Sequence, residues 1–337
     1  MTSTPSRREP SINDVAREAG VSAQTVSRVA TGKDVVRAET RERVVEAMQR
    51  LGYRPNGAAR ALKSGRFRNI GVIMFSLSTY GNMRTLEAIA SEATTAGYSL
   101  TLIPLDAATQ SSVSGAFARL SEQAVDGIII LIEAHRLNES DVELPTGMPV
   151  VVLDSSAHYD LPVVDTDQAQ GARLATEHLL GLGHETVWHV TGPHESFSAQ
   201  RRRESWRRTL IEHGAAVPEP ITGDWSAESG HAAGERLAAT PGVTAVFAAN
   251  DQMALGVLRA LHQAGRSVPH DISVVGFDDM PEAASFWPAL TTVRQHFDQV
   301  GVAAWRSLLA SIEGERPGAV GLIPTELVVR ESSGRAR

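Results

Sequence analysis

The 337-residue sequence contains no cysteine. Disulfides, thiolate catalysis and cysteine-based metal sites are therefore excluded. The sequence also lacks a Walker phosphate loop, a G-x-G-x-x-G motif and a G-x-S-x-G motif. His184, Glu185 and His189 come nearest to a zinc motif, but the second histidine lies one residue too far along for H-E-x-x-H. We interpret His184 as a residue of a helix-to-strand loop, and we expect no enzymatic activity, no metal and no cofactor.

Long apolar runs are absent as well, because no stretch approaches the ~18 residues that a membrane-spanning helix requires. Residues 1–10, MTSTPSRREP, are polar and do not resemble a secretory signal. We expect this segment to be disordered. An exported binding protein is disfavoured on this ground, and the protein is expected to be cytoplasmic, without a membrane partner.

The charge is divided unevenly along the chain, although the formal net charge is only −7. Residues 1–68 contain 14 Lys or Arg and 7 Asp or Glu, whereas residues 69–337 contain 18 and 32. The amino-terminal part is therefore basic and the remainder acidic. Since phosphates repel an acidic surface, any contact with nucleic acid is expected in the basic part, with an affinity that falls as salt rises.

Residues 11–31, SINDVAREAGVSAQTVSRVAT, predict two short helices joined by a glycine turn. Gly20 can supply the left-handed residue that ends the first helix, and Ser22 can cap the second. This is the layout of a helix-turn-helix DNA-binding motif. Apolar residues at helical spacing mark the inner side of each helix: Val15, Ala16 and Ala19, then Val26 and Val29.

The opposite side of the second helix carries hydrogen-bonding groups. Gln24 can pair with an adenine edge and Arg28 with a guanine edge, and each good pair contributes about 1–3 kcal/mol of discrimination. We therefore predict that these two residues read bases in the major groove. The alternative is a small solvated helical hairpin with an ordinary polar face.

A third helix is predicted from about Glu39 to Leu51, with Gly52 ending it. Residues 54–66 then contain a helix-breaking proline followed by an alanine-rich stretch that favours a very short helix. Such a helix is marginal alone, so we expect it to order only against DNA and a second copy of the chain. Leu62 is then a candidate wedge in the minor groove. The alternative is a plain alanine-rich linker.

From residue 69 onward, short apolar strands alternate with helices, which predicts parallel sheets of the βα type. About 270 residues suit two doubly wound lobes with a ligand cleft at the carboxyl ends of their strands. The predicted strands occupy 70–75, 98–104, 127–132 and 149–154, and then 186–190, 243–250 and 271–279.

Polar residues follow several of these strands. Asp154, Asn250 and Asp278 lie where carboxylates and amides can hydrogen-bond a polyol across the cleft. Trp225 can offer an aromatic face to the apolar side of a sugar ring. Arg202 lies in the basic run QRRRESWRR, a pattern that is more often a solvated helix face than a site.

Seven motifs along the chain carry a family resemblance: DVAREAGVSAQTVSRV at 14–29, TRERVVEAMQRLGYRPNGAARAL at 40–62, EHLLGLGH at 177–184, GDWSAESG at 223–230, ANDQMALGVLRAL at 249–261, DISVVGFDD at 271–279 and LTTVRQHF at 290–297. Through these motifs the whole chain resembles the lactose/galactose repressor (LacI/GalR) family. The resemblance implies a homodimer that binds a pseudo-palindromic DNA operator through its head and hinge, and whose cleft binds a small sugar or glycoside that loosens or promotes DNA binding.

The resemblance assigns DNA contacts by position. Ala23 departs from the pattern, because a methyl group can only touch a thymine methyl or leave the base unread. Arg37 replaces a serine cap of the third helix. The implied base readers are Ala23, Gln24 and Arg28; the implied phosphate contacts are Ser22, Thr25, Ser27, Thr31, Tyr53 and Asn56; and Leu62 is the implied wedge.

The resemblance also assigns a galactoside-like pocket. Phe75 stands where the resemblance implies a small hydroxyl residue, and Tyr80 and Asn82 also depart from the implied pocket. The aglycone or second sugar is therefore expected to be another one than in that pocket. The implied ligand contacts are Phe75, Asp154, Arg202, Trp225, Asn250, Asp278 and Gln295.

The expected organisation follows from these assignments. A disordered start at 1–10 precedes a DNA-binding head at 11–53 and a hinge at 54–68. The first lobe comprises roughly 69–165 with 296–325, and the second 166–295 with 326–337. The chain ends without the leucine-heptad tail of tetrameric members, so we expect a dimer.

Overall fold

The fold was analysed in a computed structural model, which describes residues 10–30, 36–53, 65–74, 79–105, 110–131, 147–153, 162–316 and 321–337. The chain forms two compact units, Met1–Phe67 and Arg68–Arg337. No helix in these ranges is both long enough and apolar enough to cross a bilayer.

The described part of the first unit, the head, contains helices α1 (Ile12–Ala19), α2 (Ala23–Ala30) and α3 (Ala38–Leu51). A capping box begins α1, because the Asp14 amide donates to Ser11 Oγ and the Ser11 amide donates to the Asp14 carboxylate. Side chains from all three helices form the core of the head: Val15, Ala16, Ala19, Val26, Val29, Val44 and Ala47.

The turn chemistry predicted for the head is confirmed. Gly20 ends α1 with a φ of 64°, in the left-handed region that favours glycine. Gly52 ends α3 in the same way, with a φ of 66°. Ser22 Oγ accepts a hydrogen bond from the Thr25 amide at 3.1 Å and so caps α2. Arg37 precedes α3 and makes no side-chain cap.

Five parallel strands form the sheet of the first lobe, in the order β2-β1-β3-β4-β5. Their central strands are buried along their whole length, which explains why they appear in the sequence as continuous apolar runs. The strands are β1 (Asn69–Met74), β2 (Ser99–Pro104), β3 (Gly127–Leu131), β4 (Val150–Leu153) and β5 (Val163–Val164). Helices α4 (Tyr80–Thr95) and α5 (Gln110–Glu122) connect them.

The second lobe contains a six-stranded sheet in the order β11-β10-β9-β8-β6-β7, parallel except for β11. Its strands are β6 (Trp188–Thr191), β7 (Ile221–Thr222), β8 (Ala245–Ala248), β9 (Ser273–Asp278), β10 (Thr291–Arg294) and β11 (Glu326–Val328). Helices α6 (Gln168–Gly181), α7 (Phe197–Glu212), α8 (Ala227–Ala239) and α9 (Asp251–Gln263) accompany them.

The chain crosses between the two lobes three times. It enters the second lobe after β5 and returns after β10 to form α10 (Phe297–Ile312), which packs on α4 in the first lobe. It crosses again to reach β11. Thr166 of the first crossing pairs with Ile323 of the third in an isolated parallel bridge. The predicted pair of doubly wound lobes is thus confirmed, and the first and third crossings lie side by side.

Candidate functional site

The outward side of α2 is the first candidate site. Val26 and Val29 are buried in the head core, so Gln24 and Arg28 on the opposite side are exposed. Ser22 is also exposed, and its hydroxyl lies 2.9 Å from that of Thr25. Arginine and amide side chains presented from one short helix can reach base edges in a major groove.

Other predicted DNA contacts have a part in the packing of the head. Ala23 and Tyr53 are half-buried and pack against the core of the head, and Ser27 is half-buried. Ala23 is therefore partly withdrawn from the surface that carries Gln24. Thr31, Asn56 and Leu62 lie outside the described residues.

The cleft between the two lobes is the second candidate site. It contains a cavity of about 80 Å³ with walls from both lobes. The start of α4 lines one side, the first crossing lines the base, and α7 and the segment after β10 line the other side. The polar residues of the wall are Asn82, Thr85, Asp165, Thr166, Gln168, Ser198 and Gln295.

A buried arginine organises the second-lobe side of the cleft. Arg202, in α7, is only 4% exposed, so the structure does not support a solvated helix face. Its Nε donates to Gln168 Oε1 at 2.8 Å, and its Nη1 donates to the carbonyl oxygen of Ala249. The guanidinium carbon lies 3.9 Å from the centre of the Phe277 ring and 5.5 Å from that of Trp225.

Asp278 ends β9 beside this arginine. Its Oδ1 lies 3.9 Å from Arg202 Nη2 and accepts a 2.7 Å hydrogen bond from Gln295 Nε2. Burial raises the pKa of Asp278 to about 6, although the Arg202 charge and the Gln295 hydrogen bond act in the opposite direction. Gln168 Nε2 donates to Gln295 Oε1 at 3.0 Å, so these four side chains form a closed ring of contacts that we call the Arg202 network.

The backbone at the end of β9 is strained. Asp278 has a φ of 112° and Asp279 a φ of 51°, both in a region that side-chain-bearing residues seldom adopt. Arg294 and Arg330 hold the Asp279 carboxylate at 2.6 and 2.7 Å. Asp251 accepts hydrogen bonds from the Met280 amide and the Thr292 hydroxyl, and burial raises its pKa well above the usual range. These contacts stabilise the turn that presents Asp278.

Trp225 lies next to the network on the loop before α8, with a φ of 74°. Its indole lies so close to Gly192 that a Cβ there would approach ring atoms to 2.4 Å, so glycine is required at that position. Asn250 Nδ2 donates to the Trp225 carbonyl oxygen at 3.0 Å, while Asn250 Oδ1 accepts from the Met253 amide and caps α9. Asn250 therefore holds the tryptophan loop against the end of β8.

A second space, of about 440 Å³, also has walls from both lobes. Tyr80, Met83 and Arg84 line it from the start of α4, and Gln252 and Glu282 line it from the second lobe. Burial raises the pKa of the Tyr80 hydroxyl, and the nearby Asp278 and Glu282 charges contribute to the rise. Tyr80 and Asn82 thus lie at different spaces of the same cleft.

No three His, Asp or Glu side chains within the described ranges are grouped so that they could hold a metal ion. His184 lies in the loop between α6 and β6, as predicted. Its ring is within hydrogen-bond distance of Thr244, Ser273 and Gly334, so it secures the carboxyl-terminal segment to the second lobe.

The structure brings together five of the seven predicted ligand contacts: Arg202, Trp225, Asn250, Asp278 and Gln295. Phe75 and Asp154 lie outside the described residues. Sequence reasoning missed Gln168, Asp165 and Ser198. Asp165 and Gln168 follow β5, which has only two residues, Val163 and Val164. This apolar pair was the one signal in the sequence for a strand end at Asp165 and Gln168, and it is too short to stand out.

Comparisons with known proteins support the same division of the chain. Residues 11–56 match the family model described as bacterial regulatory proteins, lacI family, and residues 176–333 match a periplasmic binding protein-like domain. The lactose operon repressor of Klebsiella pneumoniae is 35% identical over 97% of this chain and 93% of its own length.

Two solved structures are similar over almost the whole chain. The Lac repressor dimer bound to operator and the anti-inducer ONPF superposes with a TM-score of 0.86 at 34% identity, covering 97% of this chain and all of that one. The complex of the transcriptional regulator CelR with cellobiose has a TM-score of 0.72 at 30% identity, covering 96% and 99%. With a helix-turn-helix head, two parallel-sheet lobes and full-length relatives of this kind, the chain belongs to the LacI family of DNA-binding transcriptional regulators.

Proposed function

We propose that the protein is a homodimeric repressor that binds a pseudo-palindromic operator and releases it when a small sugar or glycoside occupies the cleft. The observation that carries this proposal is the Arg202 network, a buried set of donors and acceptors of which two members, Gln168 and Gln295, line an inter-lobe cavity. A sugar hydroxyl donates and accepts hydrogen bonds, so such a set suits a neutral polyol.

The DNA side of the proposal rests on α2. Gln24 and Arg28 are assigned to base edges, and Ala23 to a thymine methyl or to no base. Phosphate contacts fix the register of the head and carry the salt dependence. We assign these to Ser22, Thr25, Ser27, Thr31, Tyr53 and Asn56, and we assign the minor-groove wedge to Leu62.

The effector side rests on the second lobe. Asp278 and Gln295 are assigned to ring hydroxyls, Arg202 to a hydroxyl oxygen and Trp225 to the apolar face of the ring. Phe75 and Asp154 complete the proposed pocket. The similarity to the Lac repressor supports a galactoside-like ligand. The similarity to the complex of CelR with cellobiose makes a glucoside the second candidate to test.

The proposed dimer is supported by the similarity to the Lac repressor dimer. The proposed domains are a head at 11–53, a hinge at 54–68, a first lobe of 69–165 with 296–325, and a second of 166–295 with 326–337.

We propose that the two sites are linked. A ligand that contacts both lobes favours one angle between them, and we propose that this conformation of the cleft decides whether the two hinges can pair over DNA. Coupling of this kind is reciprocal and typically about 1–3 kcal/mol. Operator and effector are therefore expected to weaken each other's binding to the same extent.

Fluorescence anisotropy tests the proposal directly. Labelled duplexes from the gene's own upstream region are titrated with full-length protein at fixed salt, with and without galactosides, glucosides and related sugars. We expect two chains per palindromic duplex and weakening by one sugar. Tightening by a sugar would identify a corepressor, and sugar binding without duplex binding would identify a sugar-binding protein with no DNA role.

Two variants separate the sites. Arg28→Ala should weaken operator binding and relax preference at one base pair by about 1–3 kcal/mol, while Arg17→Ala, which removes an equal charge from α1, should not relax it. Asp278→Asn should retain operator binding but lose the sugar response, while the exposed Glu185→Gln should behave as wild type. An unchanged base preference or normal induction would contradict the respective assignment.

A further inference from the structure

Asp165 occupies the first crossing between the lobes, between β5 and α6, and its backbone is held in place. The Ile323 amide donates to the Asp165 carbonyl oxygen at 2.9 Å, and the Asp167 amide donates to the Ile323 carbonyl oxygen at 2.8 Å. Two crossings therefore fix the position of this residue at the base of the cleft. None of the sequence assignments includes it.

The Asp165 carboxylate has one satisfied oxygen and one that is not. The residue is only 5% exposed, and its Oδ1 accepts a 2.7 Å hydrogen bond from the Thr166 amide. Its Oδ2 is buried and accepts no hydrogen bond from any described residue. The nearest cation, Arg201 Nη1, lies 3.6 Å away, which is beyond hydrogen-bond distance.

Arg201 also packs against an aromatic ring. Its guanidinium carbon lies 4.4 Å from the centre of the Phe197 ring, and its side chain is 30% exposed. Burial raises the pKa of Asp165 to about 6 even though the Arg201 charge lowers it. A buried acceptor without a donor is unfavourable, and such atoms in native proteins call for an explanation.

The cavity of about 80 Å³ in the cleft offers an explanation for the unpartnered Asp165 oxygen. Asp165 lines it together with Gln168 and Gln295, two members of the Arg202 network, so the unpartnered carboxylate continues the polar wall that faces the proposed effector. Because this argument uses the effector cleft, it rests on the proposed function.

We propose that Asp165 is an additional specificity-determining residue, whose Oδ2 accepts a hydrogen bond from one hydroxyl of the bound effector. The effector class is therefore narrowed to neutral polyols with a hydroxyl at this end of the cleft. A deoxy analogue that lacks this hydroxyl leaves the carboxylate unpartnered, and a sugar acid or sugar phosphate places an anion against it. Both are disfavoured.

The test is isothermal titration calorimetry of full-length wild type, Asp165→Ala, Asp165→Asn and Arg201→Gln. The probes are methyl β-D-galactoside, methyl β-D-glucoside, lactose and cellobiose, each beside its monodeoxy derivatives. For a glycoside that wild type binds, Asp165→Ala should lower the affinity about 10- to 100-fold, as expected for a hydrogen bond to a charged group. One monodeoxy derivative should bind wild type and Asp165→Ala equally, because its missing hydroxyl is the partner.

Arg201→Gln separates this role from a merely structural ion pair. It removes the cation and retains the acceptor, so it should retain the discrimination between the intact glycoside and that monodeoxy derivative. Three outcomes would each overturn the assignment. In the first, Asp165→Ala loses the same affinity for the intact glycoside and for every monodeoxy derivative. In the second, neither Asp165→Ala nor Asp165→Asn loses affinity for the glycoside, and in the third, wild type binds no probe. Operator binding is measured in parallel on the same preparations. If wild type binds both operator and a probe, a failure concerns Asp165 alone; if wild type binds no operator or no probe, the proposed function fails.

Discussion

The outward side of α2 and the Arg202 network both carry polar side chains, but the two regions hold them differently. Gln24 and Arg28 are exposed on a short helix, and the apolar core of the head lies on its other side. Arg202, Gln168, Gln295 and Asp278 are enclosed, and each is in contact with the next. Side chains on the first surface can change without altering the fold, whereas a change in the second leaves a buried partner unsatisfied.

The largest expected effect is therefore at the centre of the network. Arg202→Met removes a buried cation, leaves the Gln168 and Ala249 oxygens without their donor and leaves Asp278 without its ion-pair partner. The free energy of unfolding should therefore fall by about 3–5 kcal/mol. Urea denaturation measures it. Arg207→Met, exposed on the same helix, should change it by less than about 0.5 kcal/mol. Equal losses in the two variants would mean that the network does not stabilise the lobe.

A smaller effect is expected from the pH dependence at the base of the cleft. The folded-state pKa of Asp165 is about 6, against about 3.9 in an unfolded chain, so its contribution to stability is fully present below pH ~4 and lost as pH rises through about 6. Asp165→Asn does not titrate. Its stability relative to wild type should therefore rise between pH 4 and 7, by on the order of 2–3 kcal/mol. Urea melts across this range measure the difference, and a pH-independent difference would contradict the raised pKa.

The smallest effect on folding is expected at the head. Gln24→Ala and Arg28→Ala should each change the free energy of unfolding by no more than about 0.5 kcal/mol. Each should nevertheless reduce discrimination at one operator base pair by about 1–3 kcal/mol. Urea melts paired with competition binding to single-base operator variants give both quantities. A large loss of stability would show that the two surfaces do not differ as described.

The sequence was sufficient to predict the long strands and the head. β1, β3 and β9 lie within one or two residues of their predicted limits, because fully buried strands appear as continuous apolar runs. Gly20 and Gly52 end their helices as predicted because a left-handed terminus needs glycine. The two-residue strands β5 and β7 were not predicted, since pairing rather than composition defines them.

The site was predicted in part for a related reason. Asn250 lies just after β8 and Asp278 ends β9, as predicted, because the ends of parallel strands meet at one edge of a sheet. Their role as ligand contacts stays a prediction. Gln168 was not predicted, because its role depends on two partners 34 and 127 residues away in the chain. The burial of Arg202 could not be predicted from spacing either, because the other arginines of the basic run are half-buried or exposed: Arg201, Arg203, Arg207 and Arg208.

The contact between Arg202 and the Ala249 carbonyl oxygen has a consequence for affinity. A guanidinium group on a flexible stem ordinarily loses rotational freedom when it binds a ligand, and this ordering opposes binding by about 0.5–1.5 kcal/mol for each such side chain. Arg202 is already oriented by Gln168 and by the main chain at the end of β8. The protein therefore restricts this side chain when it folds, and the second lobe presents a preorganised surface to whichever molecule enters the cleft.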